Sequence, residues 1–234
     1  MNNNILQLKI KQRLNKLASN DYDNIECWQI VEAFNKGMTD WCRRNLHGLN
    51  VVKEGDEQSK RRIDDLQILL TETPVSLFNV QTYFETNTLP TDYFEWKRIS
   101  VTATSDCCPK PKLMVVYQAE EANVPTLLRD KNKKPDFQWG ETFCTLKSNK
   151  VQIYTNGEFV VNSASLVYYR QPQKIQIAGC VDPYTQVLTD TDVECEFKDD
   201  LVELFIDEAA KIIAGDIEAM NQYQRASQSV EGNN

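Results

Sequence analysis

From Val75 to Pro172 the chain is rich in Val, Thr, Phe and Tyr, whereas the sequence on either side spaces its apolar residues three and four apart. A β-forming middle between two helix-periodic flanks leaves few architectures open. The class this implies is α+β: an N-terminal helical pair and a C-terminal helix packed with a mostly antiparallel β domain. The boundaries are a helical region over 1–72, a β-rich domain over 73–196, and a C-terminal helix over 197–226 that packs with the N-terminal helices and docks on a partner. Residues 227–234, ending in EGNN, form a disordered tail.

Within the first flank, Ile5, Leu6, Ile10, Leu14 and Leu17 recur at helical spacing up to SNDYDN, where Asp23 or Asn24 can cap a second helix. Its stripe is Cys27, Trp28, Val31, Phe34, Met38, Trp41 and Cys42, with Arg43 and Arg44 near a C-terminus closed by Gly48. KEGDEQSKRR reads as a polar insertion, and the second half of IDDLQILLTETP as a strand. VSLFNVQTYFET, YFEWKRISVTATS and KLMVVYQA read as strands separated by turns at LPTD and CCPKPK. A short helix over Leu127–Lys131 precedes the loop KNKKPDFQWGET, and Asn156-Gly157 between two β runs is the strongest hairpin signal. VDPYTQVLTDTDVECEF is a loop-rich connection.

In the last flank, Val202, Ile206, Ala209, Ile213, Ile217 and Met220 make one face of a helix apolar, and Leu201, Phe205 and Ile212 widen it. The expected partner of Leu201 to Ala210 is the β domain of the same chain, and a second protein takes the rest of the helix. Asp199 or Asp200 caps this helix and, with Glu203, suits its first turn.

The net charge of -8 is unevenly placed. Residues 1–18 carry Lys9, Lys11, Arg13 and Lys16 and no acid, whereas 182–234 hold 13 acids and 3 bases. Such polarity suits head-to-tail contacts between copies, or a surface that repels polyanions. The basic stretches KIKQRLNK, SKRR and RDKNKK are short and scattered, which argues against a tight grip on nucleic acid. The N-terminus has no apolar run of signal-peptide type, and no segment reaches the length of a membrane span, so a soluble protein made in a cytoplasm is expected. Seven cysteines without a CxxC pair predict reduced, mostly buried thiols rather than a disulfide framework or a zinc knuckle. The vicinal Cys107 and Cys108 read as a strand end entering a turn.

Asp199 to Met220 contain seven carboxylates, a pattern that invites a search for acid/base or metal chemistry. Glu203 and Glu208 lack the Glu-x-x-His partner that di-metal sites in bundles use, because Ile206 and Lys211 stand three residues on. The single histidine, His47, sits at a helix end, where it suits carbonyl capping better than catalysis. Pairs such as Glu208 with Lys211 are ordinary exposed-face pairing, and the acids are expected opposite the apolar stripe. Phosphate-loop, dinucleotide, nucleophile-elbow and HExxH motifs are all missing from the sequence. No enzyme activity, cofactor or metal site is expected.

The order of segments is more specific than any one motif. RLNKLASNDYDNIECWQIVEAFNKGMTDWCRRNLHG is succeeded by EGDEQSKRRIDDLQILLTE, LPTDYFEWKRI, a WGETF to KVQIYTNG hairpin, SLVYYRQPQKI and FKDDLVELFIDEAAKIIAGDIEAMNQ. Together, over roughly residues 5 to 225, they resemble the head-to-tail connector proteins of short-tailed phages, the portal adaptor or tail tubular A-like ring proteins. The similarity is closest to neck ring proteins of crAss-like phages. The resemblance implies a virion structural protein of the neck, assembled in the host cytoplasm as a homo-oligomeric ring, twelve-fold to match the portal. It implies contacts with the portal protein and a neighbouring neck or tail protein, and a channel through which DNA passes without specific binding. It carries over no enzymatic site, cofactor or membrane role. By position, the portal contact would fall on Lys211 to about Gln228, with Ile212, Ile213, Met220, Tyr223 and Arg225 as contact residues. Lys9 and Arg13 would meet the acids of a neighbouring copy. The alternative reading is another phage assembly component, for head completion or the tail, and after it a carboxylate-dependent hydrolase.

Overall fold

The computed structural model describes residues 1–15, 25–47, 64–216, 224, 227 and 228. The chain is α+β and divides into two compact units. One unites the described parts of Met1–Ile68 and Pro172–Asn234; the other is Leu69–Gln171. The borders differ from those read in the sequence: the β unit is shorter at its C-terminal end, and residues 172–196 belong with the helices.

Among the described residues, the long helices of the first unit are α1 (Asn3–Asn15), α2 (Cys27–His47) and α4 (Asp199–Asp216). Leu6, Ile10 and Leu14 recur every fourth residue and point α1 inward, while Ile5 and Leu8 face solvent. On α2 the buried set is Ile30, Ala33, Phe34, Met38, Trp41 and Cys42. α4 lies against both, and its stripe of Leu201, Val202, Phe205, Ile206, Ala209 and Ile213 is buried there. Phe205 is the hub: its ring meets Phe34, Trp41 and Phe197 edge-on, with centroids 5.9, 5.4 and 5.3 Å away. Burying each such side chain stabilises the fold by about 1.5–3 kcal/mol.

Polar pairing on α1 and α2 explains why 172–198 joins this unit. The Asn35 amide donates to the Ile175 carbonyl, and the Ile175 N–H donates back to Asn35 Oδ1 at 2.9 Å. Asn3 Nδ2 donates to the Gln176 carbonyl at 2.8 Å. Ile175, Ile177 and Phe197 then enter the core. Cys27 and Cys180 form a disulfide with Cα atoms 5.7 Å apart, so two of the seven cysteines depart from the expected reduced state. Their separation of 153 residues hid the pairing from any spacing rule.

The second unit is a sheet of eight strands: β1 (Leu70–Val75), β2 (Leu77–Asn79), β3 (Tyr83–Thr86), β4 (Tyr93–Ser105), β5 (Cys108–Gln118), β6 (Glu141–Lys147), β7 (Lys150–Tyr154) and β8 (Val160–Arg170). Their order is β1-β8-β4-β5-β6-β7-β3-β2, antiparallel throughout except for β5 with β6. That parallel step contains the short helix α3 (Val124–Arg129). β1 and β2 stand at opposite ends of the order yet only Ser76 separates them, so the sheet must roll until its ends meet. Ser76 and Asn87 continue the β2–β3 ladder into this one-residue link, the Asn87 N–H donating to the Ser76 carbonyl and the Ser76 N–H to Asn87 Oδ1. Alternate residues of β4, Ile99, Val101 and Ala103, fill the inside of the roll with Met114, Ile153, Val161 and Ala164. On the outside, α3 covers part of the sheet, and beside it Leu113, Val115 and Tyr117 of β5 remain exposed.

Two turns depart from the sequence reading. Asn156 and Gly157 do adopt positive φ, 51° and 75°, as their turn chemistry requires. The strands they join are nevertheless not neighbours: β7 pairs with β6 and β3, and β8 with β1 and β4. The tight hairpin in this stretch is β6–β7, from ETFCTLK to KVQIY, closed by Ser148 and Asn149 at φ 51° and 60°. β5 also begins inside CCPKPK, which reads as a turn. Residues 108–114 pair with β4 alone, so the N–H groups missing at Pro109 and Pro111 cost that edge no second ladder.

Candidate functional site

The acids of α4 form two paired groups inside the helical unit. Arg13, four residues after Lys9 on α1, forks between two carboxylates: Nη2 lies 2.7 Å from Glu203 Oε2 and Nε 2.6 Å from Asp207 Oδ1. Lys9 also pairs with Glu203. Burial alone would push the Glu203 carboxyl up, but hydrogen bonds from Lys9 and Arg13 together outweigh it and hold that group below its ordinary value. The N-terminal amino group lies 2.9 Å from Asp199, and that hydrogen bond raises its pKa.

Glu208 faces α2. Its Oε1 accepts from Arg44 Nη2 at 2.9 Å, and only 8% of the residue is exposed. Gly37 makes room for it, since a Cβ there would come 3.1 Å from Glu208 Cβ. The expectation that these acids lie opposite the apolar stripe therefore fails for Glu208, which sits within the helix interface. Arginine makes this possible by supplying the charge partner that a buried carboxylate needs. In the sequence, Arg43 and Arg44 suit a helix end by their charge; in the fold, Arg44 acts across the interface. The i, i+7 spacing of Gly37 and Arg44 on α2 was the available signal.

Lys9 and Arg13, expected to meet a neighbouring copy, are engaged by α4 of their own chain. Ile213, expected as a contact residue, is buried, because it continues the stripe that packs inside this unit. Ile212 is half-buried. Met220, Tyr223 and Arg225 lie outside the described residues, as does the side chain of His47.

A cleft of about 340 Å³ opens in the same unit, lined by Trp28, Val31, Glu32, Lys174 and Tyr184 among others. It offers two acids, Glu32 and Asp182, one base, Lys174, and aromatic surface. Among the described residues no group of three or more His, Cys, Asp or Glu is placed to hold a metal ion, and no helix is long and apolar enough to cross a membrane. No protein-family model and no curated protein matches this sequence.

Proposed function

We propose that the protein is a virion structural component that assembles into a ring in the neck of a short-tailed phage, joins portal to tail and leaves a channel for the genome. The observation that carries this reading is the segregation of charge. The Leu69–Gln171 unit holds 11 acids and 11 bases, so the whole net charge of -8 belongs to the helical unit. An acidic unit repels phosphate where it faces a channel, and DNA slides past without the counterion release that would hold it. The order of segments supports the same reading. So do the carboxylates of α4 that are paired within the chain, because pairing gives Glu203, Asp207 and Glu208 a role in holding helices together.

In this proposal the subunit interface is heterologous, as ring closure requires. The portal contact falls on the chain beyond Gly215; Asp216 at its start is exposed, and Ile212, one turn earlier, is half-buried. Native mass spectrometry of the purified protein, alone and with its cognate portal, tests the reading. A closed oligomer, formed alone or on the portal, is expected. A monomer that ignores the portal overturns it.

A further inference from the structure

Five cysteines are free of the disulfide, and they fall into two sets. Cys42, Cys144 and Cys195 are buried, and burial pushes their thiols up to about 12, 12 and 11. They are packing groups with no access to reagents. Cys107 and Cys108 are both exposed, at the turn that joins β4 to β5, and their sulfurs lie 3.6 Å apart. The turn has every reason to hold them there: Ser105 pairs with Cys108 across the β4–β5 ladder, and Pro109 fixes the next stretch of backbone.

That separation has a chemical meaning. Two bonds of about 2.3 Å from one soft centre, meeting near the tetrahedral angle, span about 3.8 Å between sulfurs. A single atom could therefore bond both thiols with little movement of the turn. A centre that needs four protein ligands is poorly served by two sulfurs, whereas one that needs only two is served completely.

We infer that Cys107 and Cys108 form a dithiol site that chelates trivalent arsenicals and related centres taking two sulfurs. With phenylarsine oxide as probe, two As–S bonds form, both S–H bonds break, and the arsenic-bound oxygen leaves as water with the two thiol protons. Arsenic stays trivalent and no electrons are transferred. The first bond makes the second intramolecular, so the chelate outlasts any single As–S bond. The site is independent of the proposed ring.

The test is intact-mass titration of the unreduced full chain with phenylarsine oxide, and then peptide mapping. One adduct per chain is expected, on the peptide carrying Cys107 and Cys108. It should survive excess monothiol and be removed by a dithiol. Cys107→Ser and Cys108→Ser should each lose the monothiol-resistant adduct while melting like the parent. The inference is overturned by an adduct mapped to Cys42, Cys144 or Cys195, by removal with monothiol, or by retention in either serine variant. Should a variant fail to fold, the peptide map of the parent decides alone.

Discussion

Gly37 of α2 and Glu208 of α4 fix how closely the two helices approach, for a Cβ at Gly37 would lie 3.1 Å from both Cβ and Cγ of Glu208. In a solvated helix, Gly→Ala stabilises by up to about 1 kcal/mol through propensity. Here Glu208 is pinned by Arg44 and cannot retreat. Gly37→Ala is expected to destabilise by about 1–2 kcal/mol, seen as a lower urea midpoint, and the loss should shrink in a Glu208→Ala background. A stabilising Gly37→Ala in the parent would show that the interface yields.

Arg44→Ala leaves the Glu208 carboxylate buried without its partner. Losing one member of such a pair costs about 3–5 kcal/mol, and the remaining exposure of Arg44 places this case at the lower end. Replacing both residues by Met and Leu should recover much of that loss, which chemical denaturation of the parent, Arg44→Ala and the double replacement would measure.

Glu203 supplies a pH dependence with a definite sign. Its folded pKa is depressed, so its contribution is complete above the unfolded value of about 4.3 and is lost as pH falls through the folded value. Stability should decline as pH is lowered below about 4.3, and less steeply in Glu203→Gln. Urea midpoints between pH 5 and 3 provide the comparison. High salt should flatten the difference, because the pair is only partly buried.

The two turns respond oppositely to substitution. Ser148 holds φ 51° at the first position of a two-residue hairpin turn, where Asn is better suited. Ser148→Asn is expected to stabilise by about 0.5–1 kcal/mol. Gly157→Ala should cost about 1–2 kcal/mol from its φ of 75° alone, since open space surrounds it. Melting temperatures resolve both.

Thiol counting checks the Cys27–Cys180 pair. Alkylation of denatured, unreduced protein is expected to add five groups, and seven after reduction. Seven in both states would return these cysteines to the reduced form.

The sequence made the apolar stripe of α4 readable because Val202, Ile206, Ala209 and Ile213 obey helical period alone. Burial of Glu208 was not readable, because it depends on Arg44, which a different element delivers. Asn156-Gly157 shows the same limit in the sheet. Turn chemistry sets a local φ, but which strands become neighbours is decided by the rolled order in which β7 and β8 part. Pro109 and Pro111 argue for a turn only if both edges of their strand need hydrogen bonds, and one does not. Lys9 and Arg13 read as partners for the α4 acids of a neighbouring copy, whereas both pair with Glu203 of their own chain, which is a matter of tertiary placement.

The helical unit is built from both ends of the polypeptide, with Leu69–Gln171 inserted between them. On the ribosome this imposes a schedule. α1 and α2 are made before the β unit, with Phe34 and Trp41 lacking the ring of Phe205 that will cover them, and they must wait while about 150 further residues are made. The β unit is complete in sequence by Gln171 and can fold during that wait. The last helix then arrives as the closing part, and until it does the chain carries a sticky, half-finished helix pair that a chaperone could hold.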